Sequence, residues 1–190
     1  MPVSESKNVK DRKHQHMGKS SEIFLDKAQI LSSLSITSGQ VILDAGCGNG
    51  YMAKEFARPA GTAGMVYALD PDATLIDTLK SDTVGTKVEP FVGDITKKTK
   101  LRTSSIDIIY LSTVIHGFTK TQMEGFLREV KRLLKPGGRL AIVEIRKEET
   151  PFGPPLEMRF SPEELRQTIK LRSTLLVDIG QYFYLQIFQK

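Results

Sequence analysis

The chain has 190 residues, of which 39% are hydrophobic and 26% are charged. These values fit one compact globular domain and exclude a collagen-like or a disordered chain. A single cysteine, Cys47, excludes an internal disulfide and a thiolate metal cluster built from one chain. The formal charge of +5 favours anionic partners, although part of the excess lies in residues 1–18, which we expect to be a polar, solvated tail.

The localisation predicted from the sequence is cytoplasmic. No apolar run approaches the roughly 18 residues needed to span a bilayer, and the first residues lack the apolar segment of a signal peptide. His14 and His16 form a weak candidate metal pair, but no third ligand stands near them. We therefore predict no metal site and no membrane segment, with one domain over residues 19–190.

The predicted elements begin with a helix that Ser21 caps and that ends near Gly39. The run "QVILDAG" is then a short apolar strand, followed by a glycine turn and by a helix that Pro59 stops. Strands follow over residues 64–70, 88–94, 105–114 and 139–145, separated by helical segments. One of these helices is predicted to start with a capping box, Thr121–Glu124.

This alternation predicts the fold class. Strands separated by amphipathic helices favour a doubly wound, mostly parallel α/β sheet with helices on both faces. A last helix is expected to begin at Ser161, before the apolar runs "TLLVDI" and "YFYLQIF". Only Gly180 and Gln181 separate these two runs, so they should form a C-terminal antiparallel hairpin that brings the sheet to seven strands.

The turn after the first strand has the pattern D-x-G-x-G-x-G, with Asp44 ahead of its glycines. A dinucleotide-binding turn instead has the pattern G-x-G-x-x-G and places a pyrophosphate at a helix N-terminus. A carboxylate beside a phosphate is unfavourable, whereas beside an ammonium or sulfonium it is favourable. The turn therefore predicts a cationic, nucleoside-like ligand at the carboxyl edge of the sheet.

Two further carboxylates end neighbouring strands. Asp70 ends the second strand about 20 residues beyond the last glycine, where an acidic residue can accept hydrogen bonds from both ribose hydroxyls. Asp94 ends the third strand, within reach of an adenine edge, although it is also a common residue of surface turns. Together with the glycine turn these residues fit S-adenosylmethionine, which carries an ammonium and a sulfonium.

Over residues of about 20 to 190 the chain resembles a class I, seven-stranded S-adenosylmethionine-dependent methyltransferase. The resemblance rests on "ILDAGCGNG", "ALD", "VGDI", "IDIIYLSTVIH" and "LKPGGRLAIVE". It implies S-adenosylmethionine as the cofactor. The cofactor-binding residues that it implies are Asp44, Gly46, Cys47, Gly48, Asn49, Gly50, Asp70, Pro71, Asp94, Ile95 and Leu111.

His116 follows the fourth strand, at the edge of the sheet where the methyl group should point, and is the predicted catalytic residue. The expected partner is a small-molecule acceptor, because the chain has little room for a separate substrate domain. Methylation of RNA or protein, and a non-catalytic cofactor-binding role, stay open as less favoured alternatives. Neither the acceptor nor the oligomeric state follows from the sequence.

Overall fold

A computed structural model of the chain describes residues 21–190, except for the side chains of Ser21 and Glu22. The predicted tail, with His14 and His16, lies outside the described residues. The described helices are α1 (Lys27–Leu34), α2 (Tyr51–Ala60), α3 (Ala73–Asp82), α4 (Lys120–Leu133) and α5 (Pro162–Ile169), with 3-10 turns at Ser21–Phe24, Ile115–Gly117 and Leu156–Met158. The described strands are β1 (Val41–Ala45), β2 (Met65–Asp70), β3 (Val88–Val92), β4 (Ile106–Ser112), β5 (Leu134–Ile145), β6 (Arg172–Ile179) and β7 (Phe183–Gln189).

These strands form one seven-stranded sheet in the order β3-β2-β1-β4-β5-β7-β6. β1 to β5 run parallel, and β7 is antiparallel to both β5 and β6. The predicted doubly wound sheet with a C-terminal antiparallel hairpin is therefore confirmed. The chain leaves β1 towards one edge of the sheet and returns at β4 towards the other, so the switch point lies between these two strands.

The core consists of two apolar layers, one on each face of the sheet. Residues of α1, α2 and α3 pack with Ile42 of β1 on one face. Residues of α4 and α5 pack with Leu43 and Ala45 of the same strand on the other. Because side chains alternate along a strand, Asp44 shares the α2 face with Ile42.

The first predicted helix is wrong in its start and its end. The structure has a separate 3-10 turn at Ser21–Phe24, and α1 is capped by Asp26, whose Oδ1 accepts a hydrogen bond from the Gln29 amide at 2.9 Å. Ser35 ends α1 in the left-handed conformation with φ +45°, ahead of the expected end at Gly39. Asp26 lies between the apolar residues from which the helix was predicted, so the sequence pattern did not identify it as a cap.

The predicted capping box at Thr121–Glu124 is also wrong. The cap is Thr119, an extended residue whose Oγ1 accepts from the Gln122 amide while Gln122 Oε1 accepts from the Thr119 amide. Thr121 and Glu124 lie inside α4. Two overlapping Thr-x-x-Glu/Gln patterns occur here, and the chain turns into the helix at the first of them.

Other boundaries differ in smaller ways. β3 ends at Val92 and β4 at Ser112, each two residues before the predicted end, so Asp94 follows β3 and does not end it. Pro59 lies inside the last turn of α2, which ends at Ala60. β5 begins at Leu134, which pairs with Ile106 before a register irregularity, earlier than the predicted start at residue 139. The hairpin turn has three residues because Tyr182 stays outside β7.

None of the described helices is long and apolar enough to cross a membrane.

Candidate cofactor and acceptor site

The glycine turn connects β1 to α2 at the switch point of the sheet. Gly46, Gly48 and Gly50 all have positive φ, at +74°, +55° and +74°. A Cβ on Gly46 would lie 2.7 Å from Val114 Cγ2, and one on Gly50 would lie 2.4 Å from Leu79 Cδ1. A Cβ on Gly48 would meet no atom within 4 Å. A side chain at Gly46 or Gly50 would therefore displace Val114 or Leu79, while Gly48 borders open space.

The backbone amides of the turn donate within the protein. The Gly46 and Cys47 amides both donate to the carbonyl of Leu69 at the end of β2, at 2.7 and 3.0 Å. The Gly48 amide donates to Asp70 Oδ2 at 3.0 Å. A phosphate cradle needs such amides directed at the ligand, so this turn does not have the arrangement of a phosphate-binding loop.

Asp44 is the next-to-last residue of β1, just before this turn, and is only 3% exposed. Its Oδ2 is buried and has no hydrogen-bond partner among the described residues. Burial raises the pKa of Asp44 to about 7, a backbone hydrogen bond from Ala53 opposes this, and the charge of Asp70 adds to it. A buried carboxylate without a counterion is unfavourable, so a cationic group bound here would gain a charge-assisted contact.

Asp70 has different surroundings at the end of β2. Its Oδ1 accepts from the Asp72 amide at 2.9 Å and its Oδ2 accepts from the Gly48 amide. The carboxylate therefore joins the glycine turn to the start of α3. It is partly exposed, and Pro71 after it is exposed. Each oxygen keeps a second lone pair with which it can accept a ligand hydroxyl.

Asp94 is engaged in its own turn. Its Oδ1 accepts from the backbone amide and the hydroxyl of Thr96, at 2.8 and 2.6 Å, and Oδ2 lies 3.5 Å from Lys97 Nζ. Ile95 beside it is buried in the core on the α4 face. These contacts account for Asp94 without a ligand, so its adenine contact stays a prediction.

The other implied cofactor residues have unequal access to a ligand. Leu111 of β4 is fully buried in the core on the α4 face. Asn49 is exposed, and its Oδ1 accepts from the Tyr51 amide. Burial, followed by the charges of Asp44 and Asp70, raises the pKa of the Cys47 thiol above its usual range. A thiol of this kind suits a packed position in the turn and not a nucleophile.

His116 lies in the 3-10 turn that follows β4. Its Nδ1 is 2.9 Å from Oε2 and 3.2 Å from Oε1 of Glu144, near the carboxyl end of β5. The His116 side chain is 19% exposed and the Glu144 side chain is 0% exposed. Sequence analysis missed Glu144, although one acidic residue inside the apolar run "LAIVEI" at the ligand edge of the sheet was an available signal.

The loop after β5 is folded around Arg159, which is 6% exposed. Phe152 in this loop stacks on Phe24 with ring centroids 4.4 Å apart, and its centroid is 5.2 Å from that of Tyr182. Two open surface depressions border the loop, and neither includes the glycine turn. The Arg159 guanidinium donates to the carbonyls of Arg146, Glu148, Phe152 and Pro154.

The residues at the glycine turn fit S-adenosylmethionine. The unpartnered Oδ2 of Asp44 suits its ammonium group, the Asp70 carboxylate suits its ribose hydroxyls, and the space beside Gly48 lets a ligand approach the backbone. Within residues 21–190, no group of three or more His, Cys, Asp or Glu side chains is arranged to hold a metal ion.

Comparisons with known proteins identify the family of the chain. The family described as Methyltransferase domain matches residues 43–142. A crystal structure of an S-adenosylmethionine-dependent methyltransferase from Aquifex aeolicus is similar, with a TM-score of 0.79 and 26% identity over 90% of this chain and 93% of that one.

Curated relatives are similar at lower coverage. An uncharacterized methyltransferase from Synechocystis is 28% identical over 79% of this chain and 67% of its own length. A ubiquinone/menaquinone biosynthesis C-methyltransferase from Hahella chejuensis is 28% identical over 62% of this chain and 47% of its own length. The chain thus spans about half to two thirds of these relatives. The chain belongs to the methyltransferase-domain family and is a class I S-adenosylmethionine-dependent methyltransferase.

Proposed function

We propose that the chain transfers a methyl group from S-adenosylmethionine to a small-molecule acceptor by in-line displacement. The observation that carries the proposal is Asp44, a buried carboxylate with an unpartnered oxygen, next to a turn in which the amides of Gly46, Cys47 and Gly48 already have acceptors within the protein. Asp44 would hold the ammonium group of the cofactor, and Asp70 would hold its ribose. Both roles follow from the charge and hydrogen-bonding capacity of a carboxylate.

When bound, the cofactor supplies a methyl group made electrophilic by a positively charged sulfur. The protein then has to hold the acceptor in line with that group and keep water away. Such positioning can lower a barrier by roughly 7 to 11 kcal/mol. His116 and the loop around Arg159 follow the carboxyl ends of β4 and β5, where an acceptor would meet the cofactor.

Two observations support a small aromatic acceptor. Phe24, Phe152 and Tyr182 form a cluster of rings beside the loop after β5, and stacking on such rings suits a flat aromatic compound. The Hahella chejuensis relative is named for ubiquinone/menaquinone biosynthesis. Since this chain matches less than half of that protein, the relative supports an acceptor class and no particular compound.

The alternative of a nucleic-acid acceptor would rest on four basic residues in α4 and at the start of β5, namely Arg128, Lys131, Arg132 and Lys135. Arg132 Nη2 is 2.6 Å from Glu129 Oε1, and Lys135 Nζ is 2.7 Å from Asp107 Oδ2. Two of these four cations are therefore already paired with carboxylates. Binding to a nucleic-acid backbone requires several unpaired cations, so we favour the small-molecule acceptor.

Calorimetric titration tests the cofactor, and turnover tests the acceptor. We expect S-adenosylmethionine and S-adenosylhomocysteine to bind and NAD not to bind. Release of S-adenosylhomocysteine should then follow addition of a metabolite extract or 1,4-naphthohydroquinone, a reduced quinone. Tight NAD binding would contradict the cofactor site. Release only with RNA or protein pools would overturn the small-molecule acceptor, and no release with any pool would leave a non-catalytic binding protein.

A further inference from the structure

The contact between His116 and Glu144 is the strongest feature of the site that the cofactor does not explain. Both oxygens of Glu144 lie within hydrogen-bond distance of one ring nitrogen, Nδ1. The carboxylate is completely buried, whereas the imidazole ring keeps an exposed part. The pair lies at the carboxyl ends of two adjacent parallel strands: His116 follows β4, Glu144 is near the end of β5, and Ser112 on β4 is paired with Val143 on β5.

The chemistry of this contact determines which ring nitrogen of His116 carries the hydrogen. An ionised carboxylate can only accept hydrogen bonds, so beside an ionised Glu144 we expect Nδ1 to carry the hydrogen and to donate it. In a neutral imidazole the other nitrogen, Nε2, then has a free lone pair. No hydrogen bond within the described residues engages Nε2, and the ring is partly exposed. His116 is therefore oriented to accept a proton from a molecule in the acceptor space.

The neighbouring titratable side chain does not compete for this role. Tyr184 of β7 is close enough to Glu144 for the carboxylate charge to raise its pKa, after burial as the main cause and with Glu164 as a further one. Its hydroxyl nevertheless donates to the carbonyl of Phe160 at 2.8 Å. Tyr184 thus packs beside Glu144 while its hydroxyl is bonded elsewhere. Among the described residues, His116 is the one whose side chain forms a hydrogen bond with the Glu144 carboxylate.

We propose that Glu144 is a positioning residue that holds His116 as the general base, and that the acceptor carries a phenolic hydroxyl. This inference rests on the proposed function. Nε2 accepts the hydroxyl proton, a bond forms between the acceptor oxygen and the methyl carbon, and the bond from that carbon to sulfur breaks with its electron pair on sulfur. The products are a methyl ether, S-adenosylhomocysteine and a proton that His116 releases to water.

An acceptor with a phenolic hydroxyl explains why the site would hold a base. A phenol is a weak nucleophile until its proton leaves, and a neutral imidazole can remove that proton near neutral pH. A thioether or a tertiary amine has no proton to lose and would not use Nε2. With such an acceptor, the hydrogen bond between His116 and Glu144 would only connect the turn after β4 to β5.

The first test measures the tautomer directly by nitrogen-15 NMR of the full chain. The chain has three histidines, and the His116 signals are those that disappear in His116→Asn. We expect the native protein to show His116 with hydrogen on Nδ1 and a lone pair on Nε2. Glu144→Gln keeps the shape but offers an amide that can accept or donate, so a mixture of tautomers should appear. A native His116 with hydrogen on Nε2 would overturn the proposal.

The second test measures turnover with 1,4-naphthohydroquinone as the phenolic probe. Glu144→Gln should lower kcat roughly 10- to 100-fold, with KM for the probe within about threefold, because the tautomer matters in the proton-transfer step and not in binding. Glu129→Gln is the matched control, since Glu129 is also a buried carboxylate, 3% exposed, that pairs with Arg132 on α4. This control should leave kcat within about threefold.

The outcomes separate the two proposals. Turnover of the probe with equal kcat in the native protein and in Glu144→Gln would overturn the role of Glu144 and leave methyl transfer intact. Methylation of thiol or amine probes without the phenol would overturn the acceptor class. Cofactor binding without release of S-adenosylhomocysteine from any probe would overturn the proposed function, and the general base with it. An equal loss in Glu129→Gln would show that burial alone explains the effect.

Discussion

Asp44 and Asp70 stand on neighbouring strands, yet their carboxylates are held in different ways. The Asp70 oxygens already accept two backbone amides and remain partly exposed. Asp44 is buried, and one of its oxygens lacks a partner among the described residues. The Asp70 carboxylate therefore holds the glycine turn in the ligand-free protein. For Asp44 we propose that the unpartnered oxygen gains its partner when a cation binds.

Loss of the Asp70 carboxylate should weaken cofactor binding, whereas loss of the His116 ring should not. In Asp70→Ala the ribose loses charge-assisted hydrogen bonds and the Gly48 amide loses its acceptor, so the Kd for S-adenosylmethionine should rise roughly ten- to a hundredfold. His116→Ala should keep the Kd within about threefold and lose turnover. Calorimetry on both variants measures this. An unchanged Kd in Asp70→Ala would contradict the assigned ribose site.

Asp44 should make cofactor binding depend on pH. Its pKa is raised to about 7, and the ammonium group of the cofactor interacts favourably only with the ionised form. Affinity for S-adenosylmethionine should thus fall as the pH drops below about 7, approaching about tenfold per pH unit for this one proton. Asp44→Asn should bind weakly and lose this dependence. Calorimetric titrations of both proteins with S-adenosylmethionine over a series of pH values test this prediction. The same change of Kd with pH in the native protein and in Asp44→Asn would contradict the role of Asp44.

The same group has the opposite effect on the stability of the ligand-free protein. As the pH falls through about 7, folded Asp44 takes up a proton that the unfolded chain binds only near 3.8, the ordinary value. The folded state therefore binds more protons over this interval, and the contribution of Asp44 to the free energy of unfolding rises from about pH 7 down to about pH 4. Urea unfolding measures the free energy of unfolding of the native protein and of Asp44→Asn at each pH. The difference between the two proteins gives the contribution of Asp44.

At the scale of elements, the glycine turn offers a test that separates packing from ligand access. Gly48 and Gly85 have positive φ and no atom within 4 Å of an added Cβ. Alanine at either position should cost about 1 to 2 kcal/mol of the free energy of unfolding through backbone strain. Only Gly48→Ala should also weaken S-adenosylmethionine binding, because its methyl group enters the space beside the turn. Equal Kd values in the two variants would place the ligand elsewhere.

Most elements of the fold were predictable from the sequence because buried parallel strands are short apolar runs between amphipathic helices. The errors occur where local polar contacts set a boundary. Asp26 caps α1 from inside an apolar pattern, and Thr119 caps α4 ahead of a second pattern of the same type. Sequence periodicity does not determine which of several capping residues the chain uses.

The candidate site was predictable in part. The residues of the glycine turn lie together with Asp70, because they end or follow adjacent strands of a parallel sheet. Glu144 was not predicted, since its contact with His116 depends on the pairing of β4 with β5 across 28 residues of sequence. For Asp94 the sequence left both a surface turn and a ligand contact open, because a turn carboxylate and a ligand-binding carboxylate have the same pattern in sequence.

At the scale of the whole molecule, the strand order collects the candidate groups at one edge of the sheet. β1 lies between β2 and β4, so Asp44 has Ala68 on one side and Tyr110 on the other. A ligand at this switch point contacts elements from both halves of the sheet. Binding there should therefore stabilise the domain as one unit and not only a local loop.

Thermal unfolding tests this expectation. A ligand that binds only the folded chain at about a hundredfold excess over its Kd adds about 2.7 kcal/mol to the free energy of unfolding. For a domain of this size that corresponds to a rise in Tm of about 5 to 10 °C, and we expect it with S-adenosylmethionine but not with NAD. Asp70→Ala at the same cofactor concentration should lose about half of the rise or more. A rise of equal size in Asp70→Ala, or a rise with NAD alone, would contradict a cofactor site at the junction of β1, β2 and β4.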